Sequence, residues 1–213
     1  MTARNRILTA VRRGLGGTRR PPAAIAAQAA MLLDDPEFIR PALVATTLPE
    51  AFELKAAVLG TTVERVASMD QMSGSVRRYL AAHALPPSLA LQQSRDLTGL
   101  DWSGIETHAS IAPDEVAALG IAVRGIAESG SLVIRSGADK PILLSFLPLH
   151  HIVVLRADTL VAHLDDYAAI MQGEAQPRNA ILITGPSGTT DIEGSYVRGA
   201  HGPGFLHVVM VGS

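Results

Sequence analysis

Short apolar runs rich in β-branched residues recur through the second half of this chain, with helical spacing between them. Segments 125–128, 131–135, 152–156, 180–184 and 206–211 read as strands. Segment 160–171 between two of them reads as a helix. Strands separated by helices predict an α/β domain with a mixed, largely parallel sheet flanked by helices. Segments 126–128 and 131–134 succeed each other across Ser129-Gly130, which predicts one antiparallel hairpin. Pro113 opens a helical turn or short helix over 113–119, and 190–197 reads as a helix.

The first half is more helical. Ile7, Leu8, Val11 and Leu15 recur at helical spacing over 3–15, and 23–33 permits a second helix after Pro21-Pro22. Pro36 and Pro41 end this block, so 1–45 is expected to be a helical appendage to a domain over 46–213. Within that domain, 49–59 and 73–84 read as helices, and 61–68, 89–91 and 105–111 as strands.

Composition narrows the chemistry. The 213 residues are 47% hydrophobic and 18% charged, enough apolar material for one sizeable core. The net charge is −2, and the only basic cluster is Arg12, Arg13, Arg19 and Arg20, so no basic field for nucleic acid is present. No apolar run reaches the roughly 20 residues of a membrane helix. The N-terminus has no apolar signal core, so a cytoplasmic location without membrane insertion is expected. Cysteine is absent, which rules out a thiolate nucleophile or a cysteine-ligated cluster in this chain.

Two motifs can carry chemistry. Glu128 ends an apolar strand and is followed by Ser129, Gly130 and Ser131. A carboxylate at a strand end can act as base or nucleophile, or simply be solvated beside a turn. Gly185, Pro186, Ser187, Gly188, Thr189, Thr190, Asp191 and Glu193 follow the strand over 180–184. Between a strand and a helix, such a run points bare N–H groups outward and suits a small anion. Thr190 with Glu193 equally fits a helix capping box, with Asp191 in the first turn. The run is not a P-loop, because no Gly-Lys pair follows and the only lysines are Lys55 and Lys140. It lacks the second glycine of a hydrolase elbow. His150, His151, His201 and His207 lie near strand ends, but no ligand spacing among them argues for metal. His201, beside Gly202-Pro203, is the best single site histidine.

In order and spacing, Ile126–Ser131, Leu147–Val154, Gly185–Glu193 and His201–Pro203 with Leu206–Val209 resemble the LUD-domain family. The resemblance covers about residues 105–211. It implies a fold related to the ribose-phosphate isomerase, glucosamine-phosphate deaminase and CoA-transferase superfamily. It also implies a part in oxidising L-lactate to pyruvate, beside partner subunits that carry iron–sulfur clusters, with no cofactor in this chain. Glu128 and His201 are then the candidate catalytic residues. Ser129, Gly130, Ser131, Gly185, Pro186, Ser187, Thr189, Thr190, Asp191, Glu193 and Gly202 are candidates for binding a small anion or a partner. The alternative is an autonomous transferase or isomerase acting on a CoA ester or sugar phosphate, with Glu128 as base or nucleophile.

Overall fold

The computed structural model describes residues 2–15, 20–34, 40–190 and 194–212. The chain divides into two units, Met1–Pro41 and Ala42–Ser213. The first carries α1 (Ala3–Gly14) and α2 (Pro22–Asp34). Thr2 caps α1 by accepting the N–H of Asn5. The apolar stripe read from the sequence is present on α1, but none of its residues is buried: Ile7 is 64% exposed and Leu15 77%. Arg19 lies outside the described residues.

The second unit is an α/β domain. Its elements are α3 (Leu48–Val58), β1 (Thr62–Val66), α4 (Met72–Ala82), β2 (Ser88–Leu91), α5 (Arg95–Thr98), β3 (Glu106–His108), β4 (Ala117–Ile121), β5 (Arg124–Ile126), β6 (Ser131–Arg135), β7 (His150–Arg156), β8 (Leu160–Val161), α6 (Leu164–Gln172), β9 (Ala180–Ile183), β10 (Gly188–Thr190), β11 (Tyr196–Arg198) and β12 (Phe205–Val211). A six-stranded sheet runs β1-β12-β7-β4-β2-β3 with every pairing parallel. A four-stranded sheet runs β8-β5-β6-β9 and contains the expected β5–β6 hairpin. The fold is therefore mixed and largely parallel, as the strand–helix alternation predicted.

The central strands β7 and β12 are buried along almost their whole length. That is the signature of a parallel sheet covered on both faces. Alternation sends Ile152, Val154, Val209 and Val211 to one face, where Met72, Val76, Tyr79 and Leu80 of α4 meet them. Those α4 positions recur at helical spacing, which is why this segment is a helix with one core face. Val153, Leu155, Leu206, Val208 and Met210 face the other way, onto Phe52 and Ala56 of α3 and Leu132 and Ile134 of β6. Thr47 caps α3 through the N–H of Glu50, and Pro49 sits in its first turn.

Three segments depart from the sequence reading. Residues 117–121 form strand β4 instead of finishing a helix, because their place between β2 and β7 is buried on both faces. Residues 160–161 are strand β8, with α6 starting only at Leu164. The helix expected over 190–197 is not formed: Gly188–Thr190 pairs antiparallel with Tyr196–Arg198 instead. Asp191 and Glu193 lie outside the described residues, and Thr190 is a strand residue, not a helix cap.

Candidate functional site

Glu128 leaves the end of β5 with its N–H donated to Ala162. One of its carboxylate oxygens accepts from the Leu164 N–H at 2.8 Å, and the other accepts from His163 Nδ1 at 2.9 Å. A carboxylate only accepts, so His163 carries its proton on Nδ1 here. Asp166 accepts from the His163 N–H. With Asp165 and Asp166 in its first turn, Glu128 makes three acids at the N-terminus of α6, where the helix dipole favours negative charge. Glu128→Gln puts an amide donor against one of these donors and removes the charge. A loss of about 1–2 kcal/mol in urea unfolding is expected. Unchanged stability would show that the carboxylate is free for other work.

Ser129, Ser131 and Thr184 form a chain of hydroxyls, 2.7 Å at each link. This chain joins the Glu-Ser-Gly turn to the residue before Gly185. Both glycine turns also press on α3. A Cβ on Gly130 would lie 2.5 Å from Ala56 N, and one on Gly185 would lie 3.1 Å from Leu59 Cβ. Both adopt positive φ, the region where glycine is at ease.

The glycine-rich run leads into a hairpin, so no helix N-terminus faces a ligand there. The Ser187 N–H donates to Pro203, and the Ser187 carbonyl accepts from Gly199. Thr189 and Thr190 are ladder residues of β10. Pro186 packs near Gly60, and Gly202 lies beside Ser187. His201 is exposed and lines a separate cleft of about 430 Å³ with Asp114, Glu115, Phe146 and Leu149. Glu128 is held by His163 and Leu164 while His201 lines this cleft, so the two candidate catalytic residues occupy different surroundings.

A further cluster sits where β1, β7 and β12 begin, on the α4 face. His150 Nδ1 is 2.9 Å from the Tyr79 hydroxyl, and His207 Nδ1 is 2.7 Å from Thr62 Oγ1. The Tyr79 ring stacks on His207 with centroids 4.4 Å apart and tilts against His83 at 4.2 Å. His150 stacks on Phe205 at 4.3 Å, and the Arg198 guanidinium covers the Phe205 ring. Glu64 Oε2 lies 3.9 Å from His207 Nε2. Burial, helped by His83 and Arg198, pulls His150 down to about 4. Burial also takes His207 down to about 4 against the pull of Glu64. Burial pushes the Tyr79 phenol up to about 12. These groups are therefore neutral near pH 7 and exchange hydrogen bonds, not charge.

Sequence reading singled out His150 and His207 but not Tyr79, His83, Phe205, Arg198, Thr62 or Glu64. The spacing of Tyr79 and His83, one helical turn apart on α4, was the available signal. His150 and His151 are adjacent on a strand and so face opposite ways. Among the described residues, no group of three or more His, Cys, Asp or Glu side chains is placed to hold a metal.

This parallel-sheet α/β domain, with its glycine turns, hairpin and strand-end histidines, defines a class with known relatives. Residues 116–211 match the LUD domain. The lactate utilization protein C of Shouchella clausii is 31% identical over 164 residues, which span 72% of this chain and 67% of that protein. The protein of the same name from Anoxybacillus flavithermus is 28% identical over 146 residues, 62% of this chain and 66% of that one. A DUF162 family protein from Deinococcus radiodurans shares the fold, with a TM-score of 0.59 at 21% identity over 78% of this chain and 96% of that one. The chain belongs to the LUD-domain family. In the curated relatives described above, it spans about two thirds of their length. No helix among the described residues is long and apolar enough to cross a membrane.

Proposed function

We propose that this chain serves L-lactate utilization as the cluster-less subunit of an iron–sulfur system that oxidises lactate to pyruvate. The reading is carried by the match to relatives named lactate utilization protein C, together with the LUD-domain match over 116–211, which holds all four sequence motifs. Oxidising lactate moves a pair of electrons off the substrate. A chain without cysteine cannot ligate a cysteine-bound cluster, so on this reading the electrons leave through partner subunits. The edge formed by the hairpin and the His201 cleft is the docking face. It exposes Tyr196 (63%), Leu149 (46%), Val197 (44%) and Phe146 (42%), apolar groups of the kind that contribute most at interfaces. His201, Gly202 and Ser187 lie along the same edge and bind the small acid or the partner.

The test is genetic and physical. Deleting the gene in its native host should abolish growth on L-lactate while leaving growth on glucose intact. Affinity capture from lactate-grown cells should bring down cysteine-rich iron–sulfur proteins. Replacing Tyr196 and Leu149 by Asp should release those partners without unfolding the chain. Unimpaired growth on lactate, together with a chain that purifies alone, would sink the reading.

A further inference from the structure

The parallel sheet has a second place of interest, away from Glu128, the glycine-rich run and His201, with His151 as its one residue from the sequence motifs. Strands β2 and β4 are neighbours, yet the chain leaves them toward opposite faces. After β2 it crosses by α5, whose Leu97 packs in the α4 layer. After β4 it crosses by β6, whose Leu132 and Ile134 pack in the α3 layer. Connections that diverge in this way open a crevice by the carboxyl ends of β2 and β4, the kind of position at which open α/β sheets take ligands, and His151 reaches it from the second residue of β7.

The crevice contains a cavity of about 10 Å³, room for one oxygen. Gln92, Gly120, Lys140, Leu144, Ser145 and His151 line it. Gln92 follows β2, and its Oε1 accepts the Ile121 N–H at 2.9 Å. That bond fixes the amide orientation and leaves Gln92 Nε2 buried without a protein partner. His151 is fully buried, and neither of its ring nitrogens has a partner. Unpartnered buried polar groups of this kind are uncommon and costly. Gly120 keeps the space open: a Cβ there would lie 2.9 Å from Leu144 Cδ2, 3.4 Å from Gln92 Oε1 and 3.8 Å from His151 Nε2. Lys140 and Pro141 stand at the rim, and no acidic side chain is in the lining.

We propose that this crevice is a binding site for a small organic acid. One carboxylate oxygen seats between Gln92 Nε2 and His151, and the other faces the Lys140 ammonium. Donors and one cation with no acid make a site for an acceptor of negative charge. Burial holds His151 down to about 4, so it serves as a neutral hydrogen-bonding ring. The inference goes beyond the docking reading and is measured on the isolated chain, so either can fail without the other.

The test titrates the purified chain with sodium acetate and sodium L-lactate, with sodium chloride at matched ionic strength as control. The side-chain amide of Gln92 and the ring of His151 are followed by NMR. Saturable shifts with both acids and none with chloride are expected. Lys140→Met should weaken binding about tenfold, the worth of one charge-assisted hydrogen bond. Gly120→Ala, which fills the space, should abolish the shifts. Lys140 is half-exposed, so its variant tests the charge even if Gly120→Ala is unstable. Three outcomes overturn the proposal: no saturable shift with either acid, equal shifts with chloride, or a Lys140→Met variant that binds like wild type. A crystal structure in saturating lactate with only a water between Gln92 and His151 overturns it too.

Discussion

Gly130→Ala is expected to destabilise the domain by about 3–5 kcal/mol, a large share of a typical domain's total stability. Two costs act together. The residue sits at φ +67, where a side chain costs about 1 kcal/mol or more. The added Cβ would also meet Ala56 N at 2.5 Å and Ala56 Cα at 2.9 Å. Those atoms are backbone in a helix whose Phe52 and Ala56 are fully buried, so the helix must move as a body. Overpacking that cannot relax costs about 1–3 kcal/mol or more. Gly188→Ala is the control. Its Cβ would meet the Tyr196 ring, an exposed side chain that can swing away, so the loss should stay under about 1 kcal/mol. Urea unfolding of the two variants measures the contrast. Similar losses in both would show that α3 yields as readily as a surface ring.

The same comparison explains what could be read in the sequence. Strand β6 was legible to the residue, because Ser131–Arg135 is a β-branched run bounded by a glycine turn. Helix α4 was legible from the spacing of Val76, Tyr79 and Leu80. Strand β4 was not, because Ala-Ala-Leu favours helix locally, and only its place between two strands decides otherwise. The helix expected over 190–197 failed for a related reason. Thr190 and Glu193 fit a local capping rule, but Tyr196, Val197 and Arg198 gain more by pairing with Gly188–Thr190.

Residue types at the candidate site were legible, but not their partners. Thr62 and His207 are 145 residues apart in sequence, and Tyr79 and His150 are 71 apart. The parallel register of β1 and β12 brings the first pair together, and the packing of α4 on the sheet brings the second. Glu128 shows the converse. Its place at a strand end was legible, but its grip on His163 and Leu164 depends on where α6 begins. Gly130 and Gly185 are, in the sequence, candidates for binding a small anion or a partner. The partner found is the chain's own helix α3.

Acid is expected to unfold the domain through its buried imidazoles. His150, His151 and His207 each have a folded pKa of about 4 against 6.5 in the unfolded chain. A depressed histidine pKa means that the unfolded state binds the proton first. Stability from this source is therefore complete above about pH 6.5 and falls as pH drops toward 4. Each pKa unit corresponds to about 1.4 kcal/mol, so each ring removes about 3 kcal/mol by the low end of the window. Glu64 acts in the same direction at still lower pH. Burial raises its pKa, but hydrogen bonds from Arg78 and Ser75 lower it further, and their support goes when the carboxyl is protonated. The combined loss is on the order of 5–10 kcal/mol, comparable with the stability of a whole domain. Unfolding free energies measured from about pH 7.5 down to 4.5 should show a steep decline beginning near 6.5. His151→Leu replaces the ring, which has no hydrogen-bond partner, with an apolar side chain and should flatten that decline by about a third. A flat profile in the unmodified chain would mean that these rings take up protons in place, with water or a counter-ion reaching them inside the fold.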